Sequence, residues 1–478
     1  MRKTKIVATL GPATDNPEVL KAMIEAGMNV ARLNFSHGTH EDARKRLELV
    51  RSVCKEMGAV VALLADTKGP EVRLGKFAGG KTELVEGDIF VLTSEQIEGT
   101  AAKASISYEN LYKDVRTGAR ILLDDGLIEL IVESVSGTNI TTRIVNGGPI
   151  SNNKSVNVPG INLNIPYISG KDRSDLRFIS EMGFHFIAAS FVRSAEDISM
   201  LKEELHRMGG EKIHIISKIE NADGVNNADA ILAVSDGLMV ARGDLGVELE
   251  FVDLPSIQKE LIKKAYRQGK NVITATQMLE SMVTKPRPTR AETSDVANAI
   301  YDGTSAIMLS GETSVGKYPV EAVKTMARIA TRTESDIDYR ERFIINNYKP
   351  ELSVTNAISH ATVTTAHDLE AAAIIIVSKS GHTSRNVSKF RPHSPIIGGT
   401  PDEHVQHQLQ LAWGVTPVLT KEENNSADMI QGALDASLEG GYIADGDLVI
   451  ITAGVPVGQS GTTNLIKVHE VGEKLAVF

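Results

Sequence analysis

Lys212-Ile-His-Ile-Ile-Ser-Lys-Ile-Glu220 and Gly237-Leu-Met-Val-Ala-Arg-Gly-Asp244 are two strand-like runs, each closed by a carboxylate. Side chains alternate faces along a strand, so Lys218 and Glu220 point the same way. About 24 residues separate the two acids, the length of one βα unit, which sets them on neighbouring parallel strands. Two carboxylates beside one lysine suit a hard divalent cation next to a bound anion. The stretch predicts metal-assisted chemistry on a phosphorylated or carboxylated substrate.

Runs of the same kind recur outward from it. They are Lys5–Thr9, Asn29–Leu33, Val60–Ala65, Phe184–Ser190, Ile213–Lys218, Leu238–Ala241, Asn271–Thr274 and Ser305–Leu309. Amphipathic helical stretches lie between most of them, among them Pro17–Ala26, Glu41–Met57, Ala195–Met208 and Leu254–Gln268. Eight strand–helix repeats at intervals of roughly 25–35 residues are the pattern of a (β/α)₈ TIM barrel. One interval, from Asp66 to Phe184, breaks it. That interval holds the strand-like runs Asp88–Thr93, Arg120–Leu123, Leu127–Val132 and Thr141–Val145, with glycine turns between them. It predicts a small β-barrel lid domain, residues 71–167, inserted after strand three at the C-terminal face where barrel active sites sit. Residues 1–70 and 168–335 are left for the barrel.

Residues 336–478 change style. Helical Glu334–Phe343 and Asn356–Ala366 precede the strand Ala372–Val377 and the loop Ser378-Lys-Ser-Gly-His-Thr383. Helix-like Ser384–Phe390 follows, then the strands Pro395–Gly398, Val415–Leu419, Asp447–Thr452 and Asn464–His469. This alternation predicts a separate C-terminal α/β domain. The loop, with Ser378, Lys379, Ser380, Gly381 and Thr383, reads either as a phosphate cradle or as a plain βα turn with a helix cap.

The bulk numbers narrow the field. A chain of 478 residues expects two or three domains. With 42% hydrophobic and 23% charged residues, its composition is that of a soluble globular protein. A net charge of −10 argues against a general nucleic-acid binder, so an anion site must be a local basic cluster. No apolar run approaches the roughly 20 residues of a membrane span. Met1-Arg-Lys-Thr-Lys leads directly into a strand, without the pattern of a signal peptide. The one cysteine, Cys54, excludes an intrachain disulfide. The expectation is a cytoplasmic protein with no nucleic-acid or membrane partner.

Polar groups crowd the strand ends. In order they are Thr9-Leu-Gly-Pro12, Arg32-Leu-Asn-Phe-Ser-His37, Asp66-Thr-Lys68, Ser190-Phe-Val-Arg193, Lys218 with Glu220, Arg242-Gly-Asp244, Thr274-Ala-Thr-Gln277 and Ser310-Gly-Glu312. Singly, most read as loop residues; convergence on one face makes a site. Arg32, Arg73 and Lys218 suit phosphate oxygens, and Glu220 and Asp244 suit the metal that bridges them. Asn34, Ser36, Asp66 and Thr67 offer neutral and singly charged oxygens, which fit a monovalent cation better than a transition metal. His37 has no second histidine near it, so it reads as a phosphate contact or a structural hydrogen bond.

At these residues the chain closely resembles the pyruvate kinase family. The resemblance is carried by Asn29-Val-Ala-Arg-Leu-Asn-Phe-Ser-His-Gly38, Asp66-Thr-Lys-Gly-Pro-Glu-Val-Arg73, Ile216-Ser-Lys-Ile-Glu-Asn221 and Met239-Val-Ala-Arg-Gly-Asp-Leu-Gly246. Ala275-Thr-Gln-Met-Leu-Glu-Ser281, Lys285-Pro-Arg-Pro-Thr-Arg-Ala-Glu292 and Met308-Leu-Ser-Gly-Glu-Thr313 extend it almost end to end. Several long segments in order are far more specific than a lone glycine motif.

The resemblance implies phosphoryl transfer from phosphoenolpyruvate to ADP, giving pyruvate and ATP in the last step of glycolysis. By it, Arg32 and Lys218 hold the migrating group, and Glu220 and Asp244 bind Mg²⁺ or Mn²⁺. Gly243 and Asp244 backbone N–H groups and the Thr276 hydroxyl fix the substrate carboxylate, and Thr276 joins the proton relay to the enolate. Potassium sits among Asn34, Ser36, Asp66 and the Thr67 carbonyl. Asn34, Ser36, His37, Arg73 and Lys154 face the nucleotide phosphates. In this family a glutamate at the position of Glu71 goes with dependence on K⁺, because a fixed lysine ammonium there replaces the mobile cation and a glutamate cannot.

Two regions depart from the family. The segment Asn153-Lys-Ser-Val-Asn-Val-Pro-Gly160 lacks the paired basic residues and glycine of many relatives. The late loop Gly454-Val-Pro-Val-Gly-Gln-Ser-Gly461 lacks the tryptophan and arginine of animal forms activated by fructose-1,6-bisphosphate. The resemblance still favours a phosphorylated effector, a sugar phosphate or AMP, at Ser378–Thr383. It also implies the compact bacterial type, without an extra C-terminal domain, assembled as a homotetramer. Two rivals are a metal-dependent lyase on the same barrel and a silent metabolite sensor. A lyase needs no nucleotide clamp such as Arg73, and a sensor would have lost Lys218, Glu220 or Asp244.

Overall fold

In a computed structural model of the chain, which describes residues 1–36, 38–345, 352–423, 425–455 and 463–475, eight parallel strands close into a ring. They are Lys5–Thr9, Val30–Asn34, Ala62–Asp66, Phe186–Ala189, His214–Ile219, Gly237–Ala241, Asn271–Ala275 and Ala306–Leu309, strands one to eight below. Both faces of each are buried, which is why their sequences run apolar rather than alternating. Val7, Leu64, Phe186, Ile216, Met239 and Ile273 fill the interior of the ring. The outward residues, such as Ile6, Ala31, Leu63, Ile187 and Ile215, meet the helices.

The helix after strand two shows how local sequence sets the frame. Thr39 and Asp42 form a reciprocal capping box at the start of His40–Met57, and Gly58 ends it at φ +63°. Ala43, Leu47, Val50 and Val53 are its buried residues, one stripe at helical spacing that packs on the barrel.

The inserted segment folds around its own apolar core, from Val72 to Val158. One six-stranded sheet carries most of it, including the hairpin Ile128–Ser136 and Asn139–Asn146. A ribbon of Lys81–Leu84 with Gly148–Ser151 packs Leu84 and Ile150 into the same core. The six-stranded sheet is open, and the isolated bridges Arg73 with Ser155 and Leu74 with Ile106 link its two edges in place of a continuous ladder. The last domain is a five-stranded sheet in which only Thr463–Glu470 runs antiparallel to its neighbour.

That domain plugs the barrel's N-terminal face. Its Leu411 joins the cluster inside the ring. Lys5 Nζ donates to the Val415 carbonyl at 2.6 Å, and Gln408 Nε2 donates to the Lys212 carbonyl at 2.8 Å. The opposite, C-terminal face stays open toward the lid.

Most strand ends fall within a residue or two of expectation, and strand six ends where the run Leu238–Ala241 does, short of the Asp244 that closes the longer run. Strand six stops at Ala241, and Asp244 lies in the first turn of the helix Arg242–Glu248. The cause is Arg242, whose guanidinium turns to the Ala275 and Thr276 carbonyls and draws the chain out of the ladder.

Candidate active site

Strands two, three and five bring three charged side chains to one point. Arg32 donates through Nε to Asp66 Oδ2 at 2.7 Å, and its Nη1 donates to the Thr9 hydroxyl at 2.8 Å. Lys218 Nζ lies 3.1 Å from Asp66 Oδ1 and 2.9 Å from Glu220 Oε1. Asp66 thus orients both cations, one on each oxygen, while Glu220 follows strand five by one residue. Asp66, Glu220 and Arg32 are buried, yet Arg32 also lines an open cleft.

Burial alone would raise the Asp66 carboxyl, but the charges of Arg32 and Lys218 outweigh it and hold the group below its ordinary range. Glu220 goes the other way. Burial, with the nearby Asp244 charge, pushes it up to about 8 despite Lys218. The Lys218 ammonium is itself penalised by burial, yet Asp66, Glu220 and Asp244 keep it protonated more firmly than a free lysine. The result is a fixed cation paired with an acid whose burial that one charge does not fully offset.

The carboxylate Glu220 Oε2 accepts from the Phe191 backbone N–H, whereas the buried Oε1 has its ion pair with Lys218 and no hydrogen-bond partner. A second carboxylate, Asp244, faces the cleft between lid and barrel. Among the described residues no group of three or more His, Cys, Asp and Glu gathers. Two hard oxygen ligands with coordination left over fit a divalent ion that also binds substrate and water; a closed structural metal site they do not make.

Opposite this pair, strands six and seven end in a strained corner. Thr276 (φ +67°) and Gln277 (φ +54°) are both left-handed without being glycine, which is unusual above all for the β-branched threonine. Arg242 Nη2 donates to the Thr276 carbonyl at 2.6 Å while its Nη1 pairs with Asp295 at 2.7 Å. The Gly243 N–H donates to Thr276 Oγ1 at 2.8 Å, so these two expected substrate groups already touch.

The expected cation ligands Asn34 and Asp66 face each other in register on strands two and three. Asn34 Oδ1 accepts from the Ser36 N–H at 3.0 Å, and the Thr67 carbonyl accepts from the Ser190 hydroxyl at 2.6 Å. His37 lies outside the described residues. Arg73 sits in the lid root, held through two nitrogens by Glu71, with Nη1 on the Asn153 carbonyl at 2.7 Å. Lys154 is paired within the lid to Asp124 at 2.8 Å.

Two clefts flank the cluster. One of about 350 Å³ runs under the lid past Glu71, Asn157, Phe191, Asp244 and Glu248. The other, about 690 Å³, lies beyond Arg32 among Pro12, Asn34, Gly38, Lys171 and Ser310. Asn157 Nδ2 reaches Glu248 Oε1 at 3.0 Å, tying lid to barrel across the first.

The loop Ser378–Thr383 belongs to the other end of the molecule, in the last domain. Gly381 is left-handed at φ +69°, Lys379 pairs with Glu422, and the Thr383 hydroxyl meets Thr463 Oγ1. Of the late loop, residues 456–461 lie outside the described residues. Glu312, on the strand-end roll, is buried and caps the Leu279 and Ser310 N–H groups, so its role is structural. Sequence reading gave no role to Arg242, Ser190 or the Phe191 N–H; each acts through a long-range contact that residue spacing does not encode.

Comparison with known proteins gives the family. Residues 1–323 match the family model described as pyruvate kinase, barrel domain, and residues 356–469 match pyruvate kinase, alpha/beta domain. The chain is 50% identical over all of its length to a pyruvate kinase of Sporosarcina psychrophila, covering 82% of that protein. It is 48% identical over 98% of its length to one of Clostridium acetobutylicum, covering all of it. Against one of Geobacillus stearothermophilus it is 50% identical over 99% of its length and covers 81% of the relative.

Proposed function

The chain belongs to the pyruvate kinase family and transfers the phosphoryl group of phosphoenolpyruvate to ADP, and we propose that it does so at the cluster of Arg32, Asp66, Lys218, Glu220 and Asp244. The observation that carries this placement is Lys218 Nζ, fixed between Asp66 and Glu220 at the mouth of the barrel. Phosphoryl transfer runs on positioning and charge stabilisation, and a rigid buried ammonium supplies both. Arg32, oriented by the same Asp66, holds a second phosphoryl oxygen.

Glu220 and Asp244 would hold Mg²⁺ or Mn²⁺, and Glu220 Oε1, buried without a hydrogen bond beside its ion pair with Lys218, supports that assignment. Such an ion, when bound, neutralises substrate oxygens. Asn34, Ser36, Asp66 and the Thr67 carbonyl would take K⁺. The substrate carboxylate would meet Gly243 and Asp244, in the N-terminal turn of a helix, and the Thr276 hydroxyl after strand seven. A threonine hydroxyl is a weak acid, so Thr276 orients a water that protonates the enolate. ADP phosphates would face Asn34, Ser36, His37 and Arg73, with Lys154 reaching them only by leaving Asp124.

Beyond the reaction, we read Ser378, Lys379, Ser380, Gly381 and Thr383 as the site of a phosphorylated effector, a sugar phosphate or AMP, and the protein as a cytoplasmic homotetramer. The left-handed Gly381 supports the loop reading, because it turns the backbone tightly between strand and helix. No helix among the described residues is long and apolar enough to cross a membrane.

The test is pyruvate formation from phosphoenolpyruvate and ADP with Mg²⁺, in KCl against a tetramethylammonium salt at equal ionic strength. Activity only in KCl supports the cation reading. Equal activity in both salts removes it and leaves the phosphoryl transfer standing.

A further inference from the structure

We propose that Ser190 is a positioning residue for this reaction: its buried hydroxyl fixes the Lys218 ammonium against the root of the lid. The inference rests on the role given to Lys218 above.

Ser190 follows strand four and is 2% exposed. Lys218 Nζ donates to its Oγ at 2.8 Å. The same Oγ lies 2.6 Å from the Thr67 carbonyl and 3.2 Å from Asp66 Oδ1. A hydroxyl has one proton and two acceptor lone pairs. Its proton goes to the nearer acceptor, Thr67 O, and a lone pair takes the lysine N–H. The ammonium thus has two fixed hydrogen-bond acceptors, Asp66 Oδ1 and Ser190 Oγ, with Glu220 Oε1 beside it as an ion-pair partner at 2.9 Å.

This matters because a lysine is a point charge on a flexible four-carbon stem. Two carboxylates alone would draw it toward themselves. The neutral serine acceptor holds its direction without adding to that pull.

The backbone around Ser190 joins the same lattice. Its N–H donates to Thr67 Oγ1 at 3.2 Å, and the next N–H, from Phe191 at φ +53°, serves Glu220. Gly69, at φ +66°, passes so close that a Cβ there would sit 2.8 Å from the Ser190 carbonyl oxygen. The chain leading into the lid therefore rests on Ser190 at Thr67 and Gly69. A displacement of the lid root reaches Lys218 through one hydroxyl.

The test compares Ser190→Ala, Ser190→Thr and Lys218→Met in the full-length protein. Ser190→Ala should lower kcat about 10- to 100-fold while phosphoenolpyruvate KM and its equilibrium binding move less than about threefold. Its melting temperature should stay within about 3 °C, and Ser190→Thr, which keeps the hydroxyl, should recover most of kcat. Should the alanine protein melt below assay temperature, Ser190→Cys, a similar volume with a weak acceptor, is read by the same criteria. An unchanged kcat in Ser190→Ala beside an inactive Lys218→Met overturns the positioning role alone. So does a parallel loss of binding, kcat and melting temperature, the mark of a structural residue. Retained turnover in Lys218→Met overturns the site reading instead.

Discussion

Lys218 Nζ and Glu220 Oε1 stand 2.9 Å apart at the end of one barrel strand, two residues from each other. Period-two alternation puts them on one side, and burial makes their charges matter. In the role proposed for it, the ammonium would meet the charge that builds up on a migrating phosphoryl group, so its value would be greatest in the transition state. Lys218→Met should keep phosphoenolpyruvate binding within about threefold and lower kcat by roughly 10²–10³-fold. Steady-state kinetics with equilibrium binding would test this, and a variant with ordinary turnover would sink it.

Glu220→Gln keeps shape and removes charge. It leaves the Phe191 N–H an acceptor, because the amide oxygen can replace Oε2. Mn²⁺ binding, followed by electron paramagnetic resonance, should weaken more than about tenfold, since one of the two proposed hard ligands loses its charge. Binding as tight as in the parent protein would move the divalent ion elsewhere.

Glu71→Lys bears on the monovalent cation. Glu71 engages Arg73 through both carboxylate oxygens, so a lysine there also sets two cations side by side. The K⁺ requirement should relax, while KM for ADP should rise because Arg73 loses the partner that orients it. Titrations of KCl and ADP separate the two effects. An unaltered response to K⁺ contradicts the account of that site.

These residues were legible to different degrees, for physical reasons. The barrel strands declare themselves because burial on both faces forces continuous apolar runs, and their ends then mark one rim. Arg32, Asp66, Lys218 and Glu220 follow from that rim. Asp244 was placed on the strand, but Arg242 ends the ladder early by bonding to strand seven, a partner 33 residues on that no local pattern reports. Lys154 shows the same limit. Its acceptor Asp124 sits at a left-handed turn (φ +53°) on another part of the lid, so charge at position 154 did not reveal its engagement. In sequence Ser190 is one more loop hydroxyl; the contacts that engage it come from strands three and five.

Arg242→Ala should loosen the corner that this arginine holds. Without the guanidinium, the carbonyls of Ala275 and Thr276 lose donors and Asp295 loses its partner. The left-handed conformation of Thr276 costs about 1–3 kcal/mol and persists only while its surroundings enforce it. Relaxation there moves the hydroxyl away from the Gly243 N–H. Phosphoenolpyruvate KM should rise at least about tenfold, and a crystal structure of the variant should show Thr276 returned to negative φ. A normal KM would mean that strand seven holds this corner without help.

The interface under the barrel predicts an acid sensitivity of its own. His214, which opens strand five, is held neutral by burial, opposed by the Asp236 charge and reinforced by Arg385, His404 and Lys202, so its pKa falls to about 4. In the unfolded chain the value returns to about 6.5. Between those two values the unfolded state binds a proton that the native state refuses, so stability falls as pH drops through this window. One such proton is worth up to about 1.4 kcal/mol per pH unit, less for a ring that is not fully buried. His214→Phe keeps an aromatic ring against Phe186, which His214 meets edge-on at 5.9 Å. The slope of the urea midpoint between pH 4.5 and about 6.5 should therefore become shallower without vanishing. It persists because His185, buried beside His407 and His404, is also held well below the usual range. Its Nδ1 accepts the Leu63 N–H at 2.8 Å, so a second proton there would break a hydrogen bond at the start of strand three. An identical slope in the variant would show that His214 takes up its proton in the folded protein too.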